Sequence, residues 1–219
     1  MKNIIFIAPP SAGKGTVSYK ICERYNIPHI STGDLLRNEI ANSTKLGLEI
    51  KDSMARGEFV SNEVINKLLK KRLLNKDAKK GFILDGYPRN IAQAESYEEL
   101  LKELNMDLGT VIFLEISKEE AMKRALSRVI CPKCGISYNL ASTELSPIRE
   151  DICDTCGSKL KQRSDDTKET FEKRFDTYMK ETYPLIDYYE KKNNLIRINA
   201  EKNSDEVFEE VKKVIKWLL

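Results

Sequence analysis

Three sets of residues in this chain of 219 have types and spacing suited to chemistry. The first is Ala8-Pro9-Pro10-Ser11-Ala12-Gly13-Lys14-Gly15-Thr16, set between the apolar run Ile4-Ile5-Phe6-Ile7 and a helical pattern with Val17, Ile21 and Tyr25 on one face. Strand, tight loop and helix in that order leave unpaired backbone N–H groups at the positive end of a helix dipole, where a phosphate can bind. Lys14 adds a point charge, and Thr16 a hydroxyl for magnesium. The phosphate-loop template G-x-x-x-x-G-K-[ST] is matched imperfectly, because Ala8 replaces the first glycine and Gly15 separates Lys14 from Thr16. Pro9 and Pro10 have no N–H, so the donors must run from Ser11 to Thr16. The alternative is a strand-to-helix turn with no ligand.

The second set begins at Asp85, which closes the apolar stretch Gly81-Phe82-Ile83-Leu84. A carboxylate there can hold magnesium against nucleotide phosphates, directly or through its waters; taken alone, it could equally start a turn. Gly86-Tyr87-Pro88-Arg89 and Gln93 follow, placing a guanidinium just past the strand. The third set is Cys131-x2-Cys134-x18-Cys153-x2-Cys156. Two such knuckles bring four thiolates within tetrahedral reach of zinc, and a closed four-sulfur site is structural. The alternative is four free thiols. Zinc would replace the core that a module of roughly 30 residues cannot build.

Alternating strand and helix patterns must position these sets. After the first strand and helix, Pro28-His29-Ile30-Ser31 reads as a short strand that turns at Thr32-Gly33-Asp34. Asp34 to Ile40, Leu46 to Met54 and Ser61 to Leu74 read as three helices of an insertion. The Asp85 strand is followed by a helix from Ile91 to Leu104 and a strand from Val111 to Ile116. Ser117-x-x-Glu120 is a capping box opening the helix that carries Arg124 and Arg128. The pattern breaks from Ile130 to Lys161 and resumes after Asp166-x-x-Glu169, where Asp166 is placed to cap a helix. It halts near Pro184, and a strand Leu195 to Ile198 and a helix from Asp205 complete the chain. Five strands with helices between them predict an α/β fold: a five-stranded parallel sheet, helices on both faces, ligands beyond the strands' carboxyl ends. The expected division is a phosphate-loop core of residues 1–30, 61–129 and 163–219, a helical insertion of 31–60 and a cysteine lid of 130–162.

Composition sets the outer bounds. With 41% apolar residues and a net charge of +3, one large core or a core with an inserted module is expected, and nothing suggests a nucleic-acid footprint. Lysine outnumbers arginine 26 to 11, so each arginine stands out as a candidate for bidentate phosphate binding. The N-terminal apolar run is too short for a signal peptide, and no run reaches a membrane-spanning length, so a cytoplasmic protein is expected. Paired cysteines in a reducing compartment point to metal rather than disulfides. Cys22 reads as a small core side chain, and His29, the one histidine, as structural rather than catalytic.

In sequence the chain resembles the adenylate kinases, in their long-lid form. The resemblance rests on Gly13-Lys14-Gly15-Thr16, on Ser31-Thr32-Gly33-Asp34-Leu35-Leu36-Arg37, and on Asp85-Gly86-Tyr87-Pro88-Arg89 with Gln93. Arg124 and Arg128 before the cysteines, and Gln162-Arg163-Ser164-Asp165-Asp166 with Arg174 after them, complete it. The resemblance implies reversible transfer of a phosphoryl group from MgATP to AMP, giving two ADP. AMP would lie between Thr32, Arg37, Phe59, Val60, Gly86, Arg89 and Gln93, with Arg37 and Arg89 clamping its phosphate and Gln93 at its base. Arg163 and Arg174, also on the AMP side, would gather with Arg128 around the transferring phosphoryl group. The donor would be held by Ser11 through Thr16, by Arg124 and Arg128, by Ser137 and Tyr138, and by Ala200, Glu201 and Lys202. Lys14, Asp85, Arg89, Arg128, Arg163 and Arg174 would be the catalytic set. Asp165 and Asp166 would secure the closed lid. Mg2+ with ATP and structural Zn2+ would be the cofactors. A monomer is implied whose partners are ATP, AMP and ADP, with no nucleic acid and no membrane.

Converging cations are what phosphoryl transfer requires, since charge spreads over the transferring group's equatorial oxygens. No general base is needed, because the attacking phosphate is already an anion. Ala8 and Ser11 stand where these kinases usually carry glycine, and a positive φ at either would cost about 1–2 kcal/mol. Ala200 likewise replaces an expected glycine near the donor base. Two other readings stay open: the same fold using GTP as donor or another nucleoside monophosphate as acceptor, and an inactive phosphate-loop scaffold bearing a nucleic-acid-binding zinc ribbon.

Overall fold

A computed structural model describes residues 3–55, 60–163 and 166–216. The run Ile4-Ile5-Phe6-Ile7 forms β1 (Ile4–Ile7), apolar at every position because both of its faces are covered. Four more strands complete the sheet: β2 (His29–Ser31), β3 (Ile83–Asp85), β4 (Thr110–Glu115) and β7 (Leu195–Asn199). Their order is β2-β3-β1-β4-β7 and every pairing is parallel, as the alternation predicts. Successive side chains point to opposite faces. Ile5, Ile7, Leu84 and Phe113 therefore enter one core with α4 (Asn62–Leu73), α5 (Ile91–Glu103) and α8 (Pro184–Lys191). Ile4, Phe6, Ile83 and Leu114 enter another with α1 (Lys14–Tyr25) and α9 (Ser204–Lys216). Cys22 is half-buried against this second core, the small packing role expected of it.

The winding of the sheet reverses between β3 and β1, parallel neighbours far apart in sequence: the connection leaving β1 runs toward β2, and the one leaving β3 runs toward β4. The loop after β1 and the carboxylate ending β3 therefore meet at the switch point, where open α/β sheets bind ligands. Between β2 and β3 lie α2 (Thr32–Ala41), α3 (Lys45–Ala55) and α4, the three helices expected between those strands. Residues 128–161 leave the sheet for a small antiparallel pair, β5 (Arg128–Ile130) with β6 (Ser137–Asn139), and Ile130 and Lys161 exchange backbone hydrogen bonds of 2.8 and 2.9 Å. The expected sites Phe59 and Asp165 fall outside the described residues.

Local expectations needed correction at four places. Of the two arginines expected on the helix after Ser117, Arg124 lies on it, but Arg128 falls past its end and opens β5. Ser117 does accept from the Glu120 N–H at the start of α6 (Lys118–Leu126), but the reciprocal half of the capping box is absent. Ser117 N–H donates instead to Glu201 at 3.1 Å, and Glu120 accepts from Arg124 Nε at 2.9 Å. Thr167, not Asp166, caps α7 (Lys168–Thr177), because a buried carboxylate gains more from the guanidinium described below than from a helix start. Pro184 does not halt a helix. A π-turn at Tyr178–Thr182, with Tyr183 N–H bonded to Tyr178 O at 2.9 Å, leads straight into α8, and proline fits the first turn of α8 because no donor is needed there.

Gly47 sits where α3 crosses α2: a Cβ there would lie 2.1 Å from the Glu39 carbonyl oxygen. Backbone cannot yield as a side chain can, so Gly47→Ala should lower unfolding stability by roughly 1–3 kcal/mol, read as a reduced urea midpoint.

Candidate active site

The turn after β1 makes a cradle at the start of α1. Gly13 is the helix N-cap with φ 86°, and no side chain caps the first turn, so its N–H groups point into open space. Ser11 also has a positive φ, 62°, whereas Ala8 does not. Of the two departures from glycine, Ser11 therefore carries the backbone cost. Lys14 reaches across the switch point to form an ion pair with Asp85. The other carboxylate oxygen of Asp85 lies 3.1 Å from His29 Nε2. Burial alone would push the Asp85 carboxyl up, but the His29 hydrogen bond and the Lys14 charge outweigh it and hold the group well below the usual carboxylate range. Asp85 is thus an anion with lone pairs facing the cradle, a donor set that suits a hard divalent cation together with the Thr16 hydroxyl.

Arg89 stands just past Asp85. Its Nε donates to Gly86 O at 2.9 Å, and its backbone N–H donates to Gln93 Oε1 at 2.8 Å. That bond fixes the buried Gln93 carboxamide and leaves its NH2 group as the outward donor. Thr32 Oγ1 donates to Gly86 O at 3.2 Å. Burial lowers the Arg89 pKa from its ordinary value, Asp85 opposes the change, and the charges of Arg174 and Arg37 push further down, which places three guanidinium groups in one field. Arg37 itself pairs with Asp34 at 2.5 Å.

These groups border a cleft of about 1490 Å³, larger than the roughly 300–1,000 Å³ typical of single-ligand pockets. Ser11 through Thr16, Asp85, Gly86 and Arg89 form its floor. Arg128, Arg163 and Arg174 also line it. Arg124 and the segment Ala200, Glu201 and Lys202 close one end, with Arg124 donating to the Ala200 carbonyl at 2.8 Å and to the Glu201 carbonyl at 3.2 Å. Ser137 and Tyr138 form a roof, although the Tyr138 hydroxyl is occupied, accepting from Asp154 N–H at 2.9 Å and lying 3.5 Å from Cys153 Sγ. Thr32, Arg37, Val60 and Gln93 lie outside this lining, beyond Gly86 and Arg89. Arg128 is bound in bidentate fashion by Asp166, Nε to Oδ2 at 2.8 Å and Nη2 to Oδ1. The structural role expected of His29 omits that its ring steadies Asp85; the available signal is its register, since His29 pairs with Ile83, two residues before Asp85 and so on the same face of the sheet.

In the roof, the sulfur atoms of Cys131, Cys134, Cys153 and Cys156 all lie within 4.8 Å of one another. Zn–S bonds of about 2.3 Å in a tetrahedron imply sulfur separations of about 3.8 Å, so the cluster fits such an ion. Both knuckles turn on a glycine of positive φ, Gly135 at 76° and Gly157 at 69°, each donating to the carbonyl of the first cysteine at 2.9 Å.

A parallel sheet with a phosphate loop after its first strand, a carboxylate ending the neighbouring strand and arginines converging on the cleft between them defines a P-loop phosphotransferase. The comparisons narrow this class. The family model for adenylate kinase matches residues 6–194. An adenylate kinase of Thermosipho africanus is 44% identical over 214 residues, covering 98% of this chain and 99% of its own. Those of Methanosarcina barkeri and Thermotoga maritima are 46% and 45% identical over 214 and 218 residues, covering 98% and 99% of this chain and 98% of each relative. The chain belongs to the adenylate kinase family, enzymes that move a phosphoryl group between ATP and AMP.

Two outcomes test this geometry. Ser11→Gly should raise unfolding stability by roughly 0.5–1 kcal/mol, the strain relieved less the added chain entropy of glycine, seen as a higher melting temperature. Because the Asp85 pKa is depressed on folding, its charged form adds stability above its unfolded pKa of about 4, and this is lost as pH falls further. The destabilisation caused by Asp85→Asn should therefore be full near neutrality and shrink on acidification below about pH 4, as urea titrations at several pH values would show.

Proposed function

We propose that the cleft carries out reversible, magnesium-dependent phosphoryl transfer from ATP to AMP, with the roles assigned as follows. The observation that carries this reading is the convergence of Lys14, Arg89, Arg128, Arg163 and Arg174 on one cleft at the switch point of the sheet. The cradle from Ser11 to Thr16 binds the donor phosphates through backbone N–H groups, and Lys14 leaves Asp85 to meet their negative charge. Magnesium bound with ATP neutralises those phosphates; Thr16 and Asp85 are the oxygen ligands this chain offers it. Arg124, holding the Ala200 to Lys202 carbonyls, gives the donor base a rigid platform. Arg37 and Arg89 clamp the acceptor phosphate from the opposite side, and the fixed Gln93 amide donates to the acceptor base. Arg128, Arg163 and Arg174 stabilise the charge that spreads over the equatorial oxygens during transfer.

The division into core, insertion and lid follows from these roles. Residues 130–162 cover the donor half and exclude water, which would otherwise accept the phosphoryl group; closure of this kind is a known feature of adenylate kinases. Asp166 holds Arg128 ready at the hinge. Zinc bound to Cys131, Cys134, Cys153 and Cys156 keeps the cover rigid and takes no part in the chemistry. The protein acts as a cytoplasmic monomer; among the described residues no helix is long and apolar enough to cross a membrane.

Purified protein mixed with MgATP and AMP should form ADP, resolved by chromatography; ADP no higher than in the enzyme-free control would overturn the reading. Arg89→Ala should reduce kcat by roughly two or more orders of magnitude while leaving the melting temperature nearly unchanged, because the variant also relieves repulsion from Arg37 and Arg174. Stripping the metal with a chelator should lower the melting temperature but leave measurable transfer at low temperature.

A further inference from the structure

Glu144 reaches from the cysteine module to the start of α9. There Asn203 and Glu206 form a complete capping box: Glu206 N–H donates to Asn203 Oδ1 at 2.9 Å, and Asn203 N–H to Glu206 Oε2 at 3.2 Å. The intervening Ser204 N–H is not served by that box. It donates to Glu144 Oε2 at 3.1 Å, and the Ser204 hydroxyl donates to Glu144 Oε1. Lys20 of α1 joins the group, donating to Ser204 Oγ and Asp205 Oδ1, each at 2.7 Å, and standing 3.5 Å from Glu144 Oε1. A carboxylate of the module thus completes the cap of a helix in the body of the protein and meets a lysine from a second helix. An anion at a helix N-terminus is favourable, and its bond to an N–H is charge-assisted. Lys20 thus has partners on α9 besides Glu144, namely Ser204 Oγ and Asp205. The contact begins two residues after Lys202, whose carbonyl Arg124 holds at 3.4 Å at the donor end of the cleft.

We propose that Glu144 is a positioning residue, a clasp that biases the cysteine module toward its seat over the donor half of the cleft and so sets how tightly MgATP is held. The inference rests on the assignment of that half to the donor. Calorimetry with MgATP alone should show Kd raised roughly two- to five-fold in Glu144→Ala, with the Kd for AMP unchanged and kcat not lowered. Ser204→Pro provides an independent variant. Proline suits the first position of a helix, so α9 should persist, yet the N–H that Glu144 receives is gone. It should weaken MgATP to a similar degree, and the double variant should be no weaker than the poorer single. In nucleotide-free protein, hydrogen exchange at the Ser204 amide should be slower in wild type than in Glu144→Ala. Equal exchange in both proteins, or an unchanged Kd for MgATP, would overturn the clasp. Equal weakening of both nucleotides together with a fall in melting temperature would mark Glu144 as merely structural and overturn it too. If the wild type bound MgATP but formed no ADP, the phosphotransfer reading would fail while Kd and exchange still decided the clasp.

Discussion

Holding like charges close together in a cleft that also admits water is the constraint on which this structure depends. Arg89 feels the charges of Arg37 and Arg174, and the nearby anion Asp85 is already shared by Lys14 and His29. In water such guanidinium groups would drift apart. Here three arginines are tethered by something other than a phosphate: Arg89 by the Gly86 carbonyl, Arg37 by Asp34, Arg128 by Asp166. Two of these tethers are carboxylates and offset part of the charge, whereas Arg89, held by a neutral carbonyl, keeps its own. An incoming phosphate therefore meets donors already in place and supplies the anion the fold lacks, so little reorganisation remains for the reacting state.

The same logic explains the sheet. Strands apolar on both faces need helices on both sides, and helices on both sides force parallel crossovers. Parallel strands bring their carboxyl ends to a common edge. The cradle after β1 and Asp85 after β3 are thereby neighbours although about seventy positions apart, and no local sequence preference needs to specify their contact.

Much of this was legible in the residues, for physical reasons. Continuous apolar runs and regular alternation revealed the five parallel strands, and short motifs fixed in spacing identified the cradle, the Asp85 turn and the four cysteines. What escaped was set by long-range competition for polar groups. Glu201, far along the chain, takes the Ser117 N–H that a local capping box would claim, and Arg128 draws Asp166 away from α7. His29 gave no pattern of its own, because its partner comes from a neighbouring strand. Ser11 showed only that a glycine was missing, while its φ shows what the replacement costs.

The hydrogen-bonded meeting of Ile130 and Lys161 has one further consequence. Where an excursion of the chain leaves and returns through paired neighbouring residues, everything beyond that junction can be lengthened, shortened or exchanged without altering the path of the strands beneath. The four-cysteine unit is in that sense a cassette. A shorter turn or a differently stapled unit could be spliced at the same junction with the strands beneath unmoved, at the loss of the Glu144 contact to α9.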